Sequence, residues 1–400
     1  MTIIRYRDLA RRIQLEGLAE TVGHFREALM EGELNADDFR IRDLAEALIF
    51  TRDGQPCGRE WVAGLNPNSH GAISMESASA VDSTAFSLLT GQLIFSRVMA
   101  KATAAEFLYP KLERVVQTNL RKEIIPGVTG IVEDMEDDVG EMMPYKNVGF
   151  GEDYIEIPPT VKKGRVLALS KEVVFFNRTG DVNRGADAIG TLLGIRREKS
   201  FCRVLAGLVN NHKWRGTTYN TYQTSAPWVN VKSGNGMTVT DGWSKIDEVE
   251  QLFNGMLDPV TGVPVEYGIK HIVHMPARNH QFRRVIGASV IRDRGANSSA
   301  ASEIEGPNSV QNYPLYTSKW LYNEIVNYGG ISATNAKDWW FAGDVEEAIQ
   351  WYENWPITTV QAPANSEADF SQDIVARWKT SMRGVHAVTQ PRALVKSYAS

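Results

Sequence analysis

Cysteine is nearly absent from this chain. Cys57 and Cys202 are the only two among 400 residues. They are too few and too far apart for a disulfide framework or a zinc site, so a reducing compartment is expected. Long apolar runs are absent as well. None approaches the ~18 residues of a membrane span, and the opening Met1-Thr-Ile-Ile-Arg-Tyr-Arg7 lacks the apolar core of a secretory signal. No membrane partner is expected. Positive charge is not in surplus: 43 Lys and Arg stand against 48 Asp and Glu, a net charge of −5, which speaks against a dedicated nucleic-acid-binding protein. Seven histidines leave little acid–base machinery near neutral pH. The chain has no Gly-x-Ser-x-Gly, Walker loop, His-Glu-x-x-His or Cys-x-x-Cys. No internal repeat and no low-complexity tract is present. The sequence therefore assigns no catalytic, cofactor-binding or metal-binding residue.

The composition itself is ordinary. Apolar residues make up 43% and charged residues 23%, as in a soluble globular chain, and the length suits one large or two to three ordinary domains. Ten tryptophans are many, and those from Trp320 to Trp378 cluster late in the chain, where they anchor cores and interfaces alike.

The most informative stretch is Ile131–Leu208. Between Glu133 and Glu141 acids dominate: Glu133, Asp134, Glu136, Asp137, Asp138 and Glu141. A polar ribbon, Tyr145–Ile157, follows and turns through Pro158-Pro159 and Lys162-Lys163-Gly164 to return as Arg165–Ser170. An isolated two-stranded ribbon is marginal in water, so this hairpin is expected to lie on a neighbouring copy. A helix of about seven turns comes next, with Asp181 as its N-cap and Ala186, Ile189, Leu193, Phe201, Leu205 and Leu208 along one face. Arg196 to Lys199 interrupt that stripe with charge. Gly190 and Gly194 cost helix propensity, about 1 kcal/mol each, which suggests close approach of a neighbour.

Elsewhere, residues 5–31 read as a charged amphipathic helix and Asp38–Ile49 as a second one. Thr51–Asn68 is loop, Gly71–Ser83 an extended arm, and core-like sequence begins near Ala85. Asn210–Gly242 reads as loop or short strands. Ser244 caps a helix to Leu257 with Ile246, Val249, Phe253 and Met256 as its stripe, and Asp258–Gly262 is a turn. Strands are expected at Ile269–Met275, Trp320–Val326, Trp339–Phe341, Ile357–Gln361, Ile374–Thr380 and His386–Gln390. Helices are expected from Asn279 and over Asp344–Tyr352, and Asn297–Asn312 is a polar loop. Strands and helices without strict alternation indicate an α+β fold.

Four constellations invite chemistry. His271 and His274 sit three apart on a strand, where they point to opposite faces and share no ion, with His280 nearby. The acidic run lacks the glycine and distal glutamate of a calcium loop and reads as a solvated face or a partner for basic residues on another subunit. Ser233-Gly-Asn-Gly236 is a turn. Arg283, Arg284, Arg292 and Arg294 form a basic patch without interleaved aromatics, so a subunit–subunit salt-bridge surface fits better than a nucleic-acid groove.

The order of these elements resembles the major capsid proteins of tailed phages, the Hong Kong 97-like fold. The stretches that carry the likeness are Gly149–Ile157 with Gly164–Glu172, Ile246–Leu257 with Asp258–Pro264 and Ile269–Pro276, and Asp344–Ala348, Asn365–Phe370 and Gly384–Val395. They cover about Asp82 to Tyr398. The resemblance implies a helical leader and arm over 1–84 and peripheral-domain segments over 85–125, 171–212 and 371–400. It implies an extended E-loop over 126–170 and an axial domain over 213–370. Residues 1–70 fall outside it and read as a retained arm.

The implied function is mechanical: self-assembly into pentamers and hexamers of an icosahedral shell that encloses double-stranded DNA. A portal, possible scaffolding or decoration proteins and non-specific contact with packaged DNA are the further partners. The shell would be assembled in the host cytoplasm and end in the virion. Some family members cross-link subunits through an E-loop lysine and a peripheral asparagine beside a buried glutamate. Lys162 or Lys163 with Asn365 would carry that bond here, although lysines at a ribbon turn are ordinary solubilising residues and nothing marks the glutamate. The rival readings are an encapsulin-type nanocompartment, against which the helical leader counts, and an enzyme with a dispersed site.

Overall fold

A computed structural model of the chain describes residues 12–13, 15–34, 40, 44, 51–52, 55–56, 80–104, 106–127, 154–170, 178–238, 242–258, 262, 264–294, 303–310, 312–362 and 374–399. The expected helix over Asp38–Ile49 lies almost wholly outside them. So do the acidic run Glu133–Glu141, Tyr145–Asp153 and Asn365. The described elements mix helix and strand, as expected, and fall into two compact units.

The first unit comprises Met1–Ala104, Lys162–Ile195 and Trp355–Arg383. Its arm helix, Leu18–Met30, lies inside the expected span and buries Thr21, Phe25 and Ala28. A second helix, Ala80–Ala102, begins earlier than expected and takes up the last residues of the presumed arm. The long helix, Thr179–Leu205, starts two residues before Asp181. Asp181 therefore sits in the first turn, where its charge suits the helix dipole, and is not the N-cap. These helices pack on one side of strands from Val161–Ser170, Ile349–Gln361 and Ile374–Val388. The core joins Phe25, Leu89, Leu93 and Val98 to Val182, Ala186 and Leu193, and these to Leu169, Ile357, Trp378 and Met382. Each fully buried apolar side chain contributes roughly 1.5–3 kcal/mol. Gly190 earns its place here. A Cβ on it would meet Val98 O at 2.5 Å, so only glycine lets the two helices approach this closely. Arg97 clamps the same pair, with Nε and Nη2 donating to the Asp187 carboxylate at 3.1 and 3.0 Å.

The second unit comprises Ala105–Val161, Arg196–Asn354 and Gly384–Ser400. Here the expected hairpin is overturned. Tyr154–Glu156 does not pair with the 165–170 strand. It runs antiparallel to Ile124–Pro126, with Ile124 opposite Glu156, and on its other side to His212–Trp214. Ile157 N and Thr160 N extend the first pairing to Glu123 O and Arg121 O at 2.8 and 2.9 Å. The prolines explain this. Pro158 and Pro159 have fixed φ and no N–H, so they carry the chain onward in extended form beside 121–126 instead of turning it back. Nor is the base of the ribbon coreless. Ile155 and Ile157 are buried with Tyr352 and Ala387.

A five-stranded mixed sheet orders Leu315–Thr317, His271–His274, Trp340–Gly343, Leu394–Ser397 and Val231–Lys232. Helices Gly242–Asn254 and Asn279–Gly287 contribute Ile246, Val249, Phe253, Phe282 and Val285 to its core, with Ile272, Trp340 and Val395. The helix begins at Gly242, so Ser244 lies inside it and does not cap it.

Three further expectations fail in this unit. Lys319–Asn327 is a helix and not a strand. Ser318 Oγ caps it by accepting from Trp320 N at 3.1 Å, and Leu321, Glu324 and Ile325 are buried at helical spacing. The β-prone Trp, Tyr, Ile and Val of this segment are overridden by packing. The helix expected over Asp344–Tyr352 is a single turn, Val345–Ala348, capped by Asp344. From Ile349 the β-branched and aromatic residues form a strand, with Gln350–Glu353 parallel to Arg114–Gln117. Within the expected loop Asn297–Asn312, Glu303–Pro307 pairs antiparallel with Val290–Arg294.

Candidate functional site

The strongest concentration of chemistry among the described residues lies in the second unit, where the last part of the long helix meets Glu113, Glu353 and His386. Arg197 is its hub. The guanidinium pairs with Glu113, lies 3.9 Å from Glu353 Oε1, and covers the rings of Tyr109 and Trp351 at 4.8 and 4.5 Å. His386 Nε2 meets Glu113 Oε2 at 2.7 Å and its Nδ1 meets Ser200 Oγ at 3.0 Å. Trp351 Nε1 and Gln117 Nε2 donate to the two oxygens of Glu353 at 3.1 and 2.9 Å.

One residue along the helix, Glu198 is fully buried. Its Oε2 accepts from Leu108 N and Tyr109 N at 2.9 and 3.1 Å, and its Oε1 from Ser318 Oγ at 3.0 Å and Cys202 Sγ at 3.7 Å. Burial pushes the Glu198 carboxyl above the usual carboxylate range, and these donors only partly offset it. Burial also pushes the Tyr109 phenol up to about 12 and the Cys202 thiol well above its ordinary value, so that thiol is a protonated core group.

Ser200, His386 and Glu113 share the connectivity of a nucleophile, a base and an orienting acid. The chemistry does not follow. The His386 side chain has no exposed surface and Glu113 only 3%. Glu113 is also committed to Arg197, and His386 packs on Trp351 at 4.5 Å and on Phe201 at 5.7 Å. No substrate atom reaches either group. The network ties four distant parts of the chain into one core.

The residues singled out from sequence are not brought together. His271 packs edge-on against Tyr316 at 5.7 Å, while His274 is buried and stacks on Phe282 at 4.6 Å. Burial lowers the His274 pKa. His280 lies on the helix after them. Arg283 and Arg284 are exposed on that same helix, and Arg292 and Arg294 register with Glu305 and Glu303 in the 290–307 hairpin. Lys162 and Lys163 begin the Val161–Ser170 strand, not a turn, and Lys162 lies 5.9 Å from the Trp355 ring.

Sequence reasoning missed Arg197 and Glu198. The signal was present: Arg197 is four residues from both Leu193 and Phe201, so it falls on the buried stripe, and Glu198 precedes Cys202 by one turn. The charges read as an interruption of the stripe, whereas Arg197 continues it.

What the described surface does offer is apolar side chains on strand edges. Val115, Ile124 and Val166 are 47%, 64% and 60% exposed, and each lies on a strand at the end of its sheet's order. Exposed apolar edges invite pairing with another chain.

Residues 155–397, more than half of the chain, match the family model described as phage capsid protein. The chain therefore belongs to the phage capsid protein family, whose members are structural. Its α+β fold is that of a phage capsid protein, as the Hong Kong 97-like resemblance implied. No curated protein matches it. Among solved structures it is similar to a chain of Gordonia phage Cozz at 12% identity, covering 74% of this chain and 87% of that one with a TM-score of 0.43. A chain from the capsid of the cyanophage P-SCSP1u is similar at 12% identity, with 74% and 88% covered and a TM-score of 0.44. A chain from the capsid of a native GTA particle is similar at 10% identity, with 75% and 90% covered and a TM-score of 0.42.

Proposed function

We propose that this chain is the major capsid protein of a tailed double-stranded DNA phage, tiling into pentamers and hexamers of an icosahedral shell around the genome. The observation that carries the reading is the family match over residues 155–397. The exposed apolar edges at Val115, Ile124 and Val166 support it, because a shell covers each edge with a neighbouring copy. The buried Arg197–Glu113–His386 network supports it as well, since its groups are spent on rigidity. In this reading, residues 126–170 include the E-loop, 213–370 the axial domain, and 85–125, 171–212 and 371–400 the peripheral domain. Residues 1–84 form the arm. The shell is assembled in the host cytoplasm, takes in a portal and becomes the virion capsid, with scaffolding or decoration proteins as further partners. Electron microscopy of the purified protein tests the proposal. Closed shells tens of nanometres across, with five- and six-fold capsomers, are expected; discrete monomers that never assemble under any salt or crowding condition contradict it.

A further inference from the structure

In the sheet of the first unit one face packs on helices, and among the described residues Lys162, Val360 and Lys379 on the other face are exposed. Its three strands, residues 161–170, 355–361 and 374–383, contain Lys162, Lys163, Arg165, Arg377, Lys379 and Arg383 and no acidic residue, although the whole chain is net negative. Alternation sorts these cations. Leu169, Ile357, Ala376, Trp378 and Met382 belong to the helix-side core, so Arg377, Lys379 and Arg383 fall on the opposite face, as does Lys162 relative to Leu167 and Leu169. Lys162 and Lys379 are exposed. Lys162 and Arg383 also approach the Trp355 ring, at 5.9 and 5.5 Å.

From this placement we infer that the face of the first unit's sheet opposite its helices is the surface that meets the phosphate backbone of duplex DNA. The inference rests on the capsid reading and deepens it. A face whose described strands carry cations on adjacent strands and no carboxylate matches a ligand with one negative charge per ~1.7 Å of axis. Two neighbouring cations on one strand, such as Arg377 and Lys379, stand ~6.6 Å apart, so several phosphates are met at once without any base being read. The match is electrostatic and sequence-independent, as a container for any genome requires.

The test is a salt titration of a short fluorescent duplex with the unassembled full-length subunit, alongside K162Q/K379Q, K379Q alone and the control R283Q/R284Q. Each contact to duplex phosphate contributes about 0.9 to the slope of log affinity against log salt. The expected result is a slope lower by about 2 in the double variant and by about 1 in K379Q, with R283Q/R284Q at wild type. Unchanged slopes overturn the inference. So does binding of a Glu133–Glu141 peptide in place of the duplex, which would assign the face to the acidic run of a second copy. Shell formation is scored separately by electron microscopy. Variants that form shells with wild-type slopes refute the DNA surface alone, whereas a wild type that forms none refutes the capsid reading.

Discussion

Glu198 offers the sharpest check on the core of the second unit. Two substitutions separate its roles. Glu198→Ala leaves Leu108 N–H and Tyr109 N–H, now satisfied at 2.9 and 3.1 Å, without an acceptor. A buried unsatisfied donor costs about 1–3 kcal/mol, so the pair amounts to roughly 2–6 kcal/mol, partly offset by no longer burying a carboxylate. Glu198→Gln keeps one oxygen for both N–H groups. Its amide then faces Ser318 Oγ, a hydroxyl that already accepts from Trp320 N and has a second lone pair to give. The expected loss is about 3 kcal/mol for the alanine and under about 1 kcal/mol for the glutamine.

The pH dependence distinguishes them further. Burial raises the Glu198 pKa, so the folded protein holds this proton to higher pH than the unfolded chain. The contribution of this group to stability is full below the ordinary carboxylate range and is lost as pH rises through the raised value. Wild type should therefore lose stability relative to Glu198→Gln across that window. Urea denaturation of the unassembled subunit at several pH values measures both effects. Equal destabilisation by the two substitutions, or parallel pH profiles for wild type and the glutamine variant, would refute the reasoning.

Three further outcomes are expected. Asp258 and Arg392 form a buried pair at 2.7 Å, with side chains 9% and 7% exposed, and removing one partner of such a pair costs about 3–5 kcal/mol; Asp258→Ala and Asp258→Asn should both lower the melting temperature of the subunit, and melting curves equal to wild type would show that the pair contributes nothing. Deleting Asp153–Arg165 should leave no folded subunit by circular dichroism, because Ile155 and Ile157 are core residues; a soluble folded product would mean that this segment serves only contacts between copies. Replacing Glu136, Asp137 and Asp138 with their amides should weaken shell assembly and its salt sensitivity without moving the melting temperature, since rim pairs are worth about 0–1 kcal/mol each but recur throughout a shell; light scattering at low and high salt that matches wild type would make the run a solvated face.

What could be read from the chain in advance followed from local periodicity. The long helix and the stripe Ile246–Val249–Phe253 each satisfy a repeat near 3.6 and each is found, and the short apolar run at 271–274 is found as a strand buried on both faces. What could not be read was pairing. Tyr154–Glu156 is paired with a strand thirty residues upstream, and Ile349–Gln361 with strands both before and after it, so nothing in either segment names its partner. The Trp320–Val326 misreading has a different origin: β-branched and aromatic residues fit any half-buried surface, and Ser318 was the overlooked sign of a helix start.

The charged network was hidden by its own composition. Arg196 to Lys199 looks solvated because charge is usually exposed, yet position along the stripe outranks residue type. Arg197 repeats Leu193 by one turn and is repeated by Phe201, so its guanidinium must be buried wherever that stripe is. A buried arginine then demands acids and ring faces from elsewhere, which Glu113, Glu353, Tyr109 and Trp351 supply. Those partners lie 84 and 88 residues upstream or more than 150 downstream. The network could therefore be inferred as a need from one helix, but its members became visible only once the chain was folded.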